Sequence, residues 1–217
     1  QSRLGLSRGR SSDDRGRSWD PDLNINHRRQ RINSAMSEPA LDDAVTRRVL
    51  WALPTGLYVL GSVAIPGAGR WNLMTINLVT QVATTPRVVA FSVEQNALSA
   101  TLIKASGIAT LSLLHRDDRA VVRKFVKPCE ETLDEDGTLT HLAGQAIRFS
   151  PQGAPLLCSA VAWVELTVRS HLDFDSHVVF FGEVTNTGAT QGFMEGSPSD
   201  RSTPILRMED TKMNYGG

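Results

Sequence analysis

The chain predicts a mainly β, antiparallel fold with a few short helices. Three observations predict it. Runs of alternating apolar and polar residues recur at 57–65, 72–82, 87–93, 108–114, 159–171 and 177–185. Gly- and Pro-containing turns separate several of them, as at Pro66-Gly-Ala-Gly69. No Gly-x-Gly-x-x-Gly loop opens a helix after a strand, so no separate Rossmann domain for a dinucleotide is predicted.

With 217 residues, 41% hydrophobic and 21% charged, the composition is that of an ordinary globular protein. No apolar run is long enough to span a bilayer and no secretory leader opens the chain, so a cytoplasmic location is expected, with no membrane partner. The balanced net charge hides an asymmetry. Residues 1–35 hold eight Arg against four Asp, leaving 15 basic and 19 acidic residues from Met36 onward. That basic arm lacks apolar periodicity and any nucleic-acid-binding module. It is expected to be a disordered extension or expression-derived sequence, with the functional domain at 36–217 and no nucleic-acid partner. Cys129 and Cys158 lack paired-ligand spacing and read as reduced thiols, with no metal site.

In chain order, residues 37–53 carry helix signals, with acids early, Arg later and a stripe of Leu41, Val45, Val49 and Ala52. A strand at 57–65 turns at Pro66 into the segment 72–87. If that segment is extended, Met74, Ile76, Leu78 and Val82 take one face and Thr75, Asn77 and Gln81 the other. Thr80 breaks the alternation, which predicts a bend or a second contact. Such a polar face either binds a ligand or is a half-solvated strand. After the strand 87–93, residues 97–106 read as a helix capped by Asn96 and ended by Gly107. Its N-terminus suits a phosphate, with Asn96 and Ser99 as side-chain donors, or is simply a capped surface helix. Residues 117–125 predict a further helix with Val121, Val122 and Phe125 inward, and the acidic stretch 128–144 reads as an exposed excursion. Residues 159–185 predict a hairpin whose tip carries His171, Asp173, Asp175 and His177. The last three share a face if the tip is extended, as a metal site or an acid–base pair would. Residues 188–203 read as a polar loop.

Four separated segments, in order, resemble the flavin reductase-like family, the FMN-binding split barrels. Met74-Thr-Ile-Asn-Leu-Val-Thr-Gln-Val-Ala-Thr-Thr-Pro86 resembles the family's Met-Thr-x-Ser-Ser-x-Thr-Ser-Val-Ser-x-x-Pro segment, with Asn77 and Gln81 where Ser is usual. Ser99 stands at the Thr of a phosphate-binding Ser-x-Thr pair, and Ala97 replaces its Ser. Asp175-Ser-His-Val-Val-Phe-Phe-Gly-Glu-Val184 resembles the Gly-Asp-His signature, the most specific match. Pro204-Ile-Leu-Arg-Met208 resembles the closing Pro-Leu-Leu-Tyr strand.

The resemblance implies an antiparallel Greek-key split β-barrel, a homodimer and FMN reduction by NAD(P)H, with a monooxygenase as one consumer of the reduced flavin. It implies that Thr75, Asn77, Leu78, Thr80 and Gln81 hold the ring and ribityl chain. Asn96, Ser99 and Lys104 then hold the phosphate, and His177 borders the nicotinamide. The alternatives on the same barrel are a non-enzymatic flavin- or haem-binding electron carrier or sensor, or an enzyme using a deazaflavin or a pyridoxal-type phosphate.

Overall fold

The computed structural model describes residues 42–65, 68–195 and 204–211. The expectations for residues 1–35, for the first residues of the N-terminal helix, for Pro66-Gly67 and for residues 196–203 lie outside that set. Within it the chain runs α1 (Asp43–Trp51), β1 (Tyr58–Ile65), β2 (Ala68–Ile76), β3 (Val79–Thr84), β4 (Arg87–Glu94), α2 (Leu98–Ser106) and β5 (Ile108–Leu113). Short strands β6 (Glu131–Leu133), β7 (Leu139–Leu142), β8 (Gln145–Phe149) and β9 (Pro155–Leu157) follow, then the long pair β10 (Ala162–Asp173) and β11 (His177–Ala189), and α3 (Gln191–Glu195).

One seven-stranded sheet has the order β2-β1-β5-β10-β11-β4-β3, every neighbouring pair antiparallel. Its two edge strands are consecutive in the chain, separated by Asn77 and Leu78 alone. Three Cα steps reach at most roughly 11 Å, so the edges of the sheet converge at that corner and the sheet curls. The mainly β, antiparallel expectation holds. So does the hairpin, which runs longer than predicted, with bulges at Glu165/Leu166 and Val168/Ser170.

The concave side buries Leu60, Phe91, Val93, Leu111, Leu166, Val178 and Phe180 against Ala100 and Ile103 of α2. Phe91 and Phe180 stack there, centroids 5.3 Å apart. Gly107 closes α2 in the left-handed region as predicted, at φ 72°. The opposite side of β1, β2 and β5 is sealed by a second core. Leu57, Val59, Leu73 and Leu114 meet Val122, Phe125, Leu139, Leu142 and Leu157 there.

Four expectations are corrected here, one of them the polar loop at 188–203, whose described part continues β11 to Ala189 and forms α3. The segment 117–125 forms two 3-10 turns, Arg116–Asp118 and Val121–Phe125, rather than one helix, although Val122 and Phe125 are buried as predicted. The acidic stretch 128–144 is not a bare excursion. It supplies β6 and β7 to a four-stranded sheet, β6-β7-β8-β9, and buries Leu139 and Leu142. Those two leucines are the part of an acid-rich stretch that reaches the core. In α1, Asp42 caps the first turn by accepting from the Ala44 and Val45 N–H groups, while Val45 and Val49 of the predicted stripe are exposed. Where the resemblance implies a closing strand, residues 205–207 make two isolated bridges, Ile205–His115 and Arg207–Gly56, with Leu206 buried between them.

Candidate functional site

Strand register builds the site. Directly opposed residues of antiparallel strands share a face, and successive residues alternate. Phe91, Phe180 and His171 form one row across β4, β11 and β10, and the first two are in the core. The neighbouring rows therefore lie on the other, convex face. One is Ser92–Val179–Leu172, with Leu78 beside Ser92, whose N–H donates to the Leu78 carbonyl at 3.0 Å. The other is Thr80–Ala90–Phe181–Ser170. His177 opposes Glu94 at the rim of the same face. Over this tip half of the hairpin the convex face leaves Ala90, Val179 and Phe181 only half-buried. Its floor is apolar (Ala90, Val179, Phe181), its hydroxyls are Thr80, Ser92 and Ser170, and an imidazole stands at one edge. Leu78, Leu172 and Phe174 are 42%, 54% and 57% exposed around it, an apolar concentration that marks a surface for a ligand or a partner.

The predicted residues divide. Leu78, Thr80 and His177 come together on this face. Asn77 sits at the corner joining the sheet edges, and Asn96 is exposed in the turn from β4 to α2, beside the start of β11 through a Gln95 N–H to Ser176 carbonyl bond of 2.9 Å. Gln81 faces away from Thr80 and donates to the Ala83 carbonyl at 3.0 Å.

Three residues depart from their predicted roles. Thr75 is buried, and its hydroxyl donates to the Val122 carbonyl at 2.5 Å, so it ties β2 to the second core instead of facing a ligand. Ser99 is fully buried. Its hydroxyl accepts from Ser62 Oγ and Asn72 Nδ2, each at 3.0 Å, and is closed to a phosphate arriving from solvent. Lys104 lies in the last turn of α2, not the first, and its ammonium pairs with Asp173 at 2.7 Å. That hydrogen bond, with the nearby Lys104 and His171 charges, holds the Asp173 carboxyl below its ordinary value. Nor do Asp173 and His177 share a face. Asp173 opposes buried Val178, on the α2 side, while His177 is on the convex side with its Nδ1 2.9 Å from Ser176 Oγ.

The cap of α2 is also corrected. Ala97, not Asn96, occupies it, and no side chain bonds the first turn. The helix start keeps its N–H groups and positive dipole end without a side-chain acceptor.

Sequence reasoning missed two buried polar clusters. Ser62, Asn72 and Ser99 join β1, β2 and α2, and Asn72 Oδ1 accepts from the Cys129 N–H at 3.1 Å. Glu165 is fully buried on β10 and makes no ion pair among the described residues. It accepts from the Gln152 N–H and Nε2, both at 2.8 Å, from Asn186 Nδ2 at 2.5 Å and from Thr185 Oγ1 at 3.2 Å. Burial pushes its carboxyl up, but the bonds from Ser150, Gln152 and Asn186 outweigh it and the carboxyl sits below its ordinary value. A lone acid in the apolar run Ala162-Trp-Val-Glu-Leu was the available signal.

Residues 50–198 match the flavin reductase like domain family, and the chain belongs to it. It is similar to a flavin reductase of Pseudomonas putida, 25% identical over 154 residues that cover 71% of this chain and 84% of that protein. Among solved structures, the fold is similar to the NADH:FAD oxidoreductase of Streptomyces globisporus C-1027. That match has a TM-score of 0.58 and 24% identity, covering 73% of this chain and 90% of the other. It is also similar to the styrene monooxygenase flavin reductase of Pseudomonas putida S12, with a TM-score of 0.54 and 24% identity over 67% and 86% of the two chains.

Proposed function

We propose that this protein reduces flavin with NAD(P)H, with FMN as the flavin, on the convex face of β3, β4, β11 and β10. The observation that carries the assignment is the register. It sets Leu78, Thr80 and His177 on one uncovered, apolar-floored face in a chain of the flavin reductase like domain family.

The residues fit a flat, phosphorylated ring. Ala90, Val179 and Phe181 offer a surface to stack on, and the Thr80 hydroxyl and the backbone at Asn77, Leu78 and Gln81 offer hydrogen bonds to its polar edge. Over the rim, at the turn from β4 to α2, the Asn96 amide and the uncapped helix start receive the phosphate. Bound flavin supplies an acceptor for the nicotinamide hydride. The chain's part is to leave one ring face open and to orient the nicotinamide beside His177.

We assign the domain to residues 36–217 and read the curled sheet as a split barrel. A second copy of the chain covers the exposed Leu172 and Phe174 in a cytoplasmic homodimer. A flavin-dependent monooxygenase is the natural consumer of the product, as the name of the styrene monooxygenase flavin reductase illustrates.

Titrating the purified protein with FMN or FAD, followed by anaerobic NADH or NADPH, tests this reading. The expected result is saturable flavin binding and one nicotinamide oxidised per flavin reduced. Tight flavin retention with neither nucleotide oxidised would make the protein an electron carrier or sensor. A haem or pyridoxal phosphate spectrum in the purified protein would overturn the flavin assignment.

A further inference from the structure

A second concavity lies at the other end of the hairpin. It has a volume of about 440 Å³ and is lined by Arg148, Cys158, Ala160, Trp163, Gly188, Ala189 and Thr190. Trp163 and Asp173 are ten residues apart on β10, so at ~3.3 Å per residue the concavity is roughly 30 Å from the tip that carries His177.

Its chemistry is distinctive. Arg148 is the one charged residue of the lining, and no carboxylate stands opposite it. Among the described residues its guanidinium has no ion pair and no hydrogen-bond acceptor; it rests over the Trp163 ring, 5.6 Å from the centroid. That contact costs the guanidinium none of its five N–H donors. The indole packs closely on Gly188, its cross-strand partner on β11. A Cβ on Gly188 would stand 2.4 Å from Trp163 Nε1, so only glycine lets β11 pass this close to the ring. An exposed guanidinium resting on an aromatic plane, with small neighbours around it, suits a ring that carries an anionic group.

We propose that this concavity binds a small planar organic anion, a ring carrying a carboxylate or a phosphate. The ring packs against Arg148 and Trp163, and the anionic group accepts from the guanidinium. The site is independent of the flavin face.

Cys158 provides a direct readout, because its thiol is exposed and lines the concavity. Cys129 serves as an internal reference. It is half-buried, burial pushes its thiol up, and it donates to the Leu73 carbonyl on the far side of β2. The alkylation rate of each cysteine is read by peptide mass spectrometry, with benzoate, adenosine monophosphate or inorganic phosphate added to the flavin-free protein. Benzoate or adenosine monophosphate is expected to slow Cys158 alkylation at least about threefold, with Cys129 unchanged and with the protection lost in Arg148→Ala. Protection by benzoate alone identifies a carboxylate ligand, and by the nucleotide alone a phosphate ligand. Absence of protection by both, equal protection by inorganic phosphate, or full protection retained in Arg148→Ala would overturn the proposal. Flavin reduction by Arg148→Ala without added anion is expected to equal that of the wild type.

Discussion

The two stretches of the sheet's convex side are treated differently. Over β1, β2 and β5 the chain returns to cover itself, sending Val122, Phe125, Leu139, Leu142 and Leu157 onto Val59 and Leu73. Over the tip half of β3, β4, β10 and β11, half-buried Val179 and Phe181 are flanked by exposed Leu78 and Leu172. The same alternation of strand residues produces both faces. What separates them is whether the chain supplies its own lid. The covered half is where single-chain stability resides, and the other half is the face to which the proposal assigns the flavin.

The largest expected effect breaks the covered half. Phe125→Ala is expected to cost about 3–5 kcal/mol in urea unfolding. Phe174→Ala, at the exposed tip, should stay within about 0.5 kcal/mol while weakening self-association. Equal costs at the two positions would erase the distinction.

Next comes the polar node beneath α2. Ser99→Ala leaves Ser62 and Asn72 without their shared partner and is expected to destabilise by about 1–3 kcal/mol, with FMN affinity unchanged. A variant of normal stability that binds FMN poorly would restore Ser99 to the phosphate site.

Glu165 sharpens the contrast through pH. Its folded carboxyl is depressed, so its contribution is present above the unfolded glutamate value of about 4.3 and is lost as pH falls through that value toward the folded one. Glu165→Gln should therefore lower stability at neutral pH and flatten the acid limb of the stability profile. An unchanged profile between the two proteins would remove the buried carboxylate from the account.

On the uncovered half, His177→Ala is expected to slow anaerobic flavin reduction about tenfold, near 1.4 kcal/mol of barrier, with FMN affinity unchanged. Stopped-flow traces identical to wild type would leave His177 a rim residue without a role.

Much of this was legible in the chain because the signals were periodic. The β10–β11 hairpin and the α2 helix with its Gly107 stop follow from local pattern, and the closing segment at 204–208 from the family resemblance. The face assignment of 72–87 did not. Asn77 and Leu78 break the segment into two strands on opposite edges of the sheet, and a bulge between Gln81 and Ala83 shifts the alternation again. Thr80 and Leu78, rather than Thr75 and Gln81, thereby join His177. Ser99 shows a second limit. A hydroxyl in a first helical turn looks the same in sequence whether it meets a phosphate or, as here, an asparagine from a strand 27 positions earlier. Lys104 lies in the last turn of the helix, where its ammonium pairs with Asp173 instead of a phosphate.

Hydrogen exchange with and without FMN tests the central claim most directly. Flavin is predicted to slow exchange at residues 77–82, 92–98 and 176–181 while leaving β1 and β5 unchanged. Protection confined to the covered half, or absent from all three segments at saturating FMN, would contradict it.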